Sequence, residues 1–341
     1  MKKALTTAGF VLLSFMLSPK AMASNFSQFY VFGDSLSDTG NIFTATEGLT
    51  NPETAIPPNP PYAPGRFSNG DIWVDFVGDE IGLTPTTFLS AQTNIPADGV
   101  NFAFGGASSG LDNTLAPNLG LPGILGQVGL FTQNLQANNQ QADPNALYAV
   151  WGGANDYVFG GVTNPNETVG NLSNAIGALT QAGAKNIAVF NLPDLGQLPF
   201  ALATNNSAPL TQLTLAHNAA LEQALDSFDE NSLNIIPVDV NSLFNQIAAN
   251  PGEFGFTQNP AIPCVVGDFN NISSVCDNPD ELVFFDVLHP NSKSHRLLAD
   301  VTLSAIKHET VPEPSTVLST LAIGAVVTTG ALKRKRKSKV R

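Results

Sequence analysis

Ser35 stands in Gly33-Asp34-Ser35-Leu36, directly after the apolar run Phe29-Tyr30-Val31-Phe32. A buried strand ended by glycine puts such a serine at the strand's carboxyl end, where open α/β sheets bind their ligands. To act as a nucleophile, its hydroxyl needs a base. Asp286-Val287-Leu288-His289-Pro290 supplies one: a carboxylate and an imidazole three residues apart, so that one turn presents the acid to one ring nitrogen while the other faces a hydroxyl. Pro290 stops that turn from continuing upstream as helix. Two further segments offer donors to a developing oxyanion: Gly105-Gly106 exposes backbone N–H groups, and Asn155 in Gly153-Ala154-Asn155-Asp156 carries a side-chain amide. Singly, Gly-Asp-Ser-Leu reads as a turn and Asp-x-x-His as a helix cap; in this order at strand ends they read as one acyl-transfer site. No His, Cys and carboxylate cluster appears at metal-ligand spacing, so neither a metal nor another cofactor is expected.

The elements that must position these groups follow from periodicity. Apolar runs recur at Val100 to Ala103, Leu147 to Trp151, Ile187 to Phe190 and Ile235 to Val238, and, being apolar on both faces, read as buried parallel strands. Between them lie amphipathic segments: Ile72 to Ile81, Val169 to Gln181, Leu210 to Phe228, and a last helix after Pro290 with Leu297, Leu298, Val301 and Ala305 inward. Alternating strands and helices predict one α/β domain with helices on both faces of a parallel sheet. Two stretches break the rhythm. Asn51 to Gly70 has too many prolines for a helix or a central strand; it either lines an acyl pocket, with Tyr62 and Phe67 as candidates, or is a surface loop. Pro251 to Leu282 contains both cysteines. Asp34 is expected to tie down the serine turn through local backbone bonds, and His217, His295 and His308 read as structural or solvated.

The ends read as addresses. Residues 1–23 have a basic start (Lys2, Lys3), an apolar stretch from Ala8 to Leu17 and the small-x-small ending Ala21-Met22-Ala23, the parts of a cleavable secretory signal; signal peptidase is the expected partner. An uncleaved anchor is the weaker alternative, because the apolar run is short for a span of ~30 Å. Residues 24–310 form the body. In it Arg66, Lys185, Lys293, Arg296 and Lys307 face all of the 28 acids except Glu313, which makes nucleic acid and anionic headgroups poor partners. The remaining segment, 311–341, orders Val311-Pro312-Glu313-Pro314-Ser315, an uncharged run from Thr316 to Leu332 and seven Lys and Arg residues from Lys333 to Arg341. That run is just long enough to cross a thin bilayer with its basic side in the cytoplasm. The order resembles the PEP-CTERM sorting signal, which implies an exosortase-type protease as a partner during export; a plain membrane anchor is the alternative. Either way the body is exported, to the envelope, periplasm or medium. There Cys264 and Cys276 are free to oxidise, closing a loop of ~13 residues for up to ~3 kcal/mol, or else remain two buried thiols.

Four blocks, Gly33-Asp34-Ser35-Leu36, Asn101-Phe102-Ala103-Phe104-Gly105-Gly106-Ala107, Gly153-Ala154-Asn155-Asp156 and Asp286-Val287-Leu288-His289-Pro290, resemble the signature blocks of the GDSL (SGNH) hydrolases. The similarity runs over roughly residues 28–307 and includes Gly65-Arg66-Phe67-Ser68-Asn69-Gly70, similar to a segment of the lipase-like branch. The resemblance implies a three-layer α/β/α, flavodoxin-like fold, here with a five-stranded parallel sheet. It implies Ser35 as nucleophile, His289 as general base and then acid, and Asp286 as the group orienting His289. The backbone N–H groups of Ser35 and Gly106 and the amide of Asn155 would form the oxyanion hole. The absence of Gly-x-Ser-x-Gly around Ser35 argues against the α/β-hydrolase fold. The expected function is a secreted serine esterase or lipase-like acylhydrolase taking small-molecule, lipid or polysaccharide esters. Deacetylation of extracellular polysaccharide is the alternative within enzymes, and a non-catalytic matrix-binding protein the alternative of another class.

Overall fold

The computed structural model describes residues 26–47, 55–91, 96–228, 233–257 and 261–310. The leader expected at 1–23 and the sorting segment expected at 311–341 lie outside these residues, as does the His308 side chain. Among the described residues no helix is long and apolar enough to cross a membrane.

The apolar runs form a parallel sheet of β1 (Phe29–Gly33), β2 (Thr86–Thr87), β3 (Val100–Asn101), β4 (Leu147–Trp151), β5 (Asn186–Phe190) and β6 (Asn234–Val238), in the order β2-β3-β1-β4-β5-β6. The expected sheet of five strands therefore has six. The added strand, β2, is a pair of threonines paired to Val100 and Asn101, with no apolar run to announce it. Successive side chains of a strand point to opposite faces, and both faces here are buried. Phe29, Val31, Ala149, Trp151, Ala188 and Phe190 join one core, Tyr30, Phe32, Tyr148, Val150, Ile187 and Val189 the other.

Helices cover both faces. α1 (Asn41–Glu47) buries Ile42 in a small separate core with Phe67 and Phe104, and on the first face lies α2 (Trp73–Ile81), which seats Trp73 between Phe29, Trp151 and Phe190 at ring separations of 6.2, 6.2 and 4.6 Å. On the second are α3 (Ile124–Ala137) and, after the one-turn α4 (Ala154–Val158), α5 (Pro165–Ala182). Asn164 caps α5 ahead of Pro165, and Gly183, at φ 116°, ends it. The short α6 (Pro199–Ala203) leads to α7 (Ser207–Leu225), which packs beside α5, and α8 (Val240–Ala249) and α9 (Ser292–Thr310) complete the first layer. The third amphipathic segment thus begins at Ser207 and ends at Leu225, slightly earlier than its expected span.

Described residues of both irregular stretches are packed into small cores, so the proline-rich one is more than a surface loop. Within 251–282 a hairpin of β7 (Val265–Asp268) and β8 (Asn271–Val275) is flanked by Cys264 and Cys276, which are bridged. Tyr62, Cys264, Val265, Leu282 and Phe285 form a separate small core that joins this hairpin to the proline-rich stretch.

Candidate active site

Strand order reverses around β1, whose neighbours are β3 on one side and β4 on the other. Such a switch point opens a crevice at the carboxyl ends of the strands, and three of the sequence blocks end there: Ser35 after β1, Gly105-Gly106 after β3, and Asn155 after β4.

The Ser35 turn is held by buried side chains that bond backbone. The Asp34 carbonyl accepts the N–H groups of Ser37 and Asp38, and the Asp34 carboxylate accepts that of Leu36 at 3.0 Å. Gln127 on α3 secures the carboxyl end of β1: its Oε1 accepts the Gly33 N–H at 2.9 Å and its Nε2 donates to the Gly33 carbonyl at 2.8 Å. Asp38 accepts four backbone N–H groups, those of Gly40, Asn41 and Ile42 at the start of α1 and that of Gly105, at 2.6–3.0 Å. Asn41 Nδ2 donates to the carbonyls of Asn101 and Ala103, and Asn101 Nδ2 to that of Ser37. The β1 and β3 loops are therefore one hydrogen-bonded unit. Burial pushes the carboxyls of Asp34 and Asp38 up to about 6, against the pull of these bonds.

Gly105 and Gly106 are glycines for steric reasons. A Cβ on Gly105 would lie 2.5 Å from the Phe67 ring, and one on Gly106, at φ 77°, would lie 2.2 Å from Leu115. Among the described residues neither the Gly106 nor the Ser35 N–H donates to a protein acceptor. Asn155 commits one amide hydrogen to the Ala107 carbonyl at 3.0 Å, and the second has no acceptor among the described residues. Its neighbour Asp156 fastens the facing loop by accepting the Ser109 N–H and hydroxyl at 2.8 and 2.6 Å.

His289 reaches Ser35 from the other side. Its Nε2 lies 2.8 Å from Ser35 Oγ, and its Nδ1 lies 2.7 and 2.9 Å from the two carboxylate oxygens of Asp286. With the Nδ1 hydrogen given to Asp286, Nε2 is left as the acceptor of the serine hydroxyl. Asp286 Oδ1 also accepts the N–H groups of Leu288 and His289, which closes the turn. Burial pushes the Asp286 carboxyl up, but His289 and these N–H groups outweigh it and hold it below the usual carboxylate range. Tyr62 and Phe67 do not line the cleft: the Tyr62 hydroxyl donates to Asp286 Oδ2 at 2.8 Å, and the Phe67 ring packs against His289 with centroids 4.9 Å apart. Ser68 Oγ donates to the Pro290 carbonyl and Asn69 Oδ1 accepts the Ser292 N–H at the start of α9, so the Gly65–Gly70 segment seats the His289 turn.

The remaining histidines stand apart from this chain. His217 Nδ1 pairs with the Tyr157 hydroxyl at 2.9 Å, and burial lowers His217 to about 4 and His295 to about 3, so both are neutral core groups. Among the described residues no three His, Cys, Asp or Glu side chains gather as a metal site. Ser35, Asn155 and His289 open onto a cleft whose other walls are Asp34 and the apolar Leu36, Ala154, Val158, Phe159, Pro193, Leu195, Leu198 and Leu288. Asp38 and Gln127 were not among the residues the sequence singled out, and Tyr62 was singled out only as a candidate for lining an acyl pocket; only Asp38, three residues before Asn41 and ahead of a short helix, carries a local signal, that of an N-cap.

The chain is 30% identical to esterase EstA of Pseudomonas aeruginosa over 94% of its own length and 52% of that protein. It is 29% identical to the thermolabile hemolysin of Vibrio parahaemolyticus, covering 80% of this chain and 62% of the hemolysin, so it spans about half to two-thirds of the length of these curated relatives. The inhibitor-bound aryl esterase of M. smegmatis superposes with a TM-score of 0.44 at 14% identity, over 84% of this chain and all of the other. The model of the GDSL-like lipase/acylhydrolase family matches residues 29–302, and the chain belongs to that family.

Proposed function

We propose that the protein is an exported serine ester hydrolase that cleaves carboxylic esters through an acyl-enzyme on Ser35. The observation that carries this reading is the continuous hydrogen-bonded chain Ser35–His289–Asp286 opening onto an apolar cleft. Ser35 Oγ attacks the ester carbonyl carbon while His289 Nε2 takes the hydroxyl proton. Asp286 holds the ring and balances the imidazolium. The N–H groups of Ser35 and Gly106 and the second amide hydrogen of Asn155, which have no acceptor among the described residues, would receive the oxyanion. Collapse expels the alcohol with the proton from Nε2, and a water activated by the same nitrogen releases the acid.

The wall of Leu36, Val158, Phe159, Leu195, Leu198 and Leu288 supports an apolar acyl group longer than acetyl, and so favours an acylhydrolase over a polysaccharide deacetylase. Export is supported by the signal-like residues 1–23, which signal peptidase would remove, and by the bridged Cys264 and Cys276, which an oxidising compartment would form. The segment 311–341 would serve as the exosortase-type sorting tail or as a membrane contact.

The test is turnover of p-nitrophenyl esters from acetate to palmitate beside acetylated xylan, with fluorophosphonate labelling located by peptide mass mapping. Labelling at Ser35 with a rate maximum above acetate is expected. Preference for acetylated xylan would move the reading to a deacetylase, and a silent Ser35 would move it to a matrix-binding protein.

A further inference from the structure

The Asp286 carboxylate has more partners than a carboxylate that only orients an imidazole needs. Oδ1 takes the two N–H groups of its own turn and lies 2.9 Å from His289 Nδ1, whereas Oδ2, 2.7 Å from Nδ1, takes one group from 224 residues away, the Tyr62 hydroxyl at 2.8 Å. Tyr62 is only 2% exposed, and Asp286 6%. A buried hydroxyl donating to an anion forms a charge-assisted bond, roughly twice as strong as a neutral one. The ring of Tyr62 is clamped edge-on between Phe285, at 5.1 Å, and Phe269, at 5.6 Å. Phe269 stands at the tip of the hairpin that Cys264 and Cys276 close. Phe285 lies on the segment whose carbonyl accepts the Val265 N–H at 2.7 Å. The hydroxyl thus reaches Asp286 from a ring with little freedom to turn away.

We infer that Tyr62 is a positioning residue for Asp286 and His289: its hydroxyl fixes the second carboxylate oxygen, and the disulfide-closed hairpin fixes its ring. This rests on the reading of Ser35, His289 and Asp286 as the reacting chain. Tyr62 touches no substrate, because it lies behind Asp286 and outside the cleft. Its hydroxyl has two consequences for the reaction. It holds the carboxylate plane so that Nε2 stays aimed at Ser35, and it takes up part of the Asp286 charge that would otherwise act on the imidazolium.

Tyr62→Phe keeps the ring and removes only the donor. We expect kcat on a p-nitrophenyl ester to fall about tenfold with KM within about twofold, since a displaced base weakens the transition state and not the binding of the acyl chain. With more of the Asp286 charge acting on His289, the acid limb of kcat/KM should also move to higher pH. The other titratable groups facing His289, Asp34 from the serine turn and His295 from α9, stay unchanged in this variant. A fold defect would lower the active fraction without moving that limb. Wild-type kcat and an unmoved acid limb would overturn the proposal. If Tyr62→Phe is recovered unfolded, 3-fluorotyrosine placed at position 62 keeps the ring and makes the hydroxyl a stronger donor; an acid limb moved to lower pH supports the proposal and an unmoved one overturns it. Ser35→Ala is assayed alongside: full activity there would defeat the reading of the site itself, whereas an inactive Ser35→Ala beside an unaltered Tyr62→Phe defeats only the role of Tyr62.

Discussion

The turn carrying Ser35 and the turn carrying His289 meet at 2.8 Å, yet they are held by different means. Ser35 leaves the middle of the sheet. β1 is paired on both edges, and Asp38, Asn41, Asn101 and Gln127, all fully buried, bind the backbone around it. His289 lies off the sheet, in a connection with only isolated bridges at Phe284, and is secured by distant parts of the chain: Tyr62, Ser68, Asn69 and the Cys264–Cys276 hairpin. Buried polar side chains fix the Ser35 side as part of the fold itself. On the His289 side a covalent bond and a few long-range contacts do what the sheet does for Ser35, so that side should loosen first without global unfolding.

The largest way to probe this contrast is at the reacting atoms. Ser35→Ala should lower ester turnover by at least ~10³-fold while the thermal melt hardly moves, because one hydroxyl is lost from a turn held by its neighbours. Retained turnover by a folded variant would remove Ser35 from the chemistry. Asn155→Ala should lower kcat by about 10² to 10³ with little change in KM, since its free amide hydrogen matters when charge develops on the oxygen; a rise in KM alone would make Asn155 a binding group.

The next tests separate the two halves by stability. Asp38→Ala strips the acceptor from the N–H groups of Gly40, Asn41, Ile42 and Gly105, and at ~1–3 kcal/mol for each group left unpaired, relieved in part by water, it should cost about 3 kcal/mol or more in a denaturant melt. A loss under ~1 kcal/mol would mean that the sheet alone fixes the turn. The same residue gives a pH signature. Its carboxyl, raised to about 6, binds a proton in the folded chain at pH values where the unfolded chain, near the ordinary 3.8, does not. Its contribution therefore grows as pH falls from 6 towards 4 and is lost as pH rises through 6. His217 and His295 act with the opposite sign, because below pH 6.5 the unfolded chain takes up protons that they refuse. The stability of wild type relative to Asp38→Asn should hence rise by about 2 kcal/mol between pH 7 and 4.5, at ~1.4 kcal/mol for each tenfold gain in proton affinity on folding. The histidines cancel in that difference, and a value constant with pH would contradict the raised carboxyl.

The same contrast explains what could be read in the sequence. Ser35, Gly106, Asn155, Asp286 and His289 sit in short blocks whose residue types state their chemistry, and the strands that carry the first three are plain apolar runs. Their anchors are not local. Tyr62 sits in a run of prolines that hides its burial, and its partner is 224 residues away; Gln127 bonds Gly33 across 94. β2 is two threonines, a strand only because β3 lies beside it. α3 carries Gly126 and Gly129 and polar residues among its apolar ones, which blurs its period. The long stretch from Pro251 has no periodicity because its order comes from a disulfide and a two-stranded hairpin rather than from the main sheet.

The smallest expected effect falls on the His289 side. In Cys264→Ser/Cys276→Ser the hairpin loses its closure, and with it the grip of Phe269 on Tyr62 and the pairing of Cys264 and Val265 with Phe284 and Phe285, the two residues before Asp286. The chain-entropy gain of such a bridge is at most ~3 kcal/mol, and the main cores, built on the six-stranded sheet, contain neither cysteine. Turnover is more sensitive, because a displacement of about 1 Å at a reacting group can cost ~10²-fold. A partial displacement should therefore lower kcat about tenfold at temperatures where the variant is still folded. The loss should shrink when the same substitutions are made in Tyr62→Phe, since residues acting through one contact do not add. Turnover and thermal melt of the four proteins, wild type, the cysteine pair, Tyr62→Phe and the combination, decide it. Full kcat/KM in the cysteine variant would mean that Ser68, Asn69 and the Asp286 turn suffice to hold His289, and equal losses in both backgrounds would mean that the hairpin acts on that turn by a route other than Tyr62.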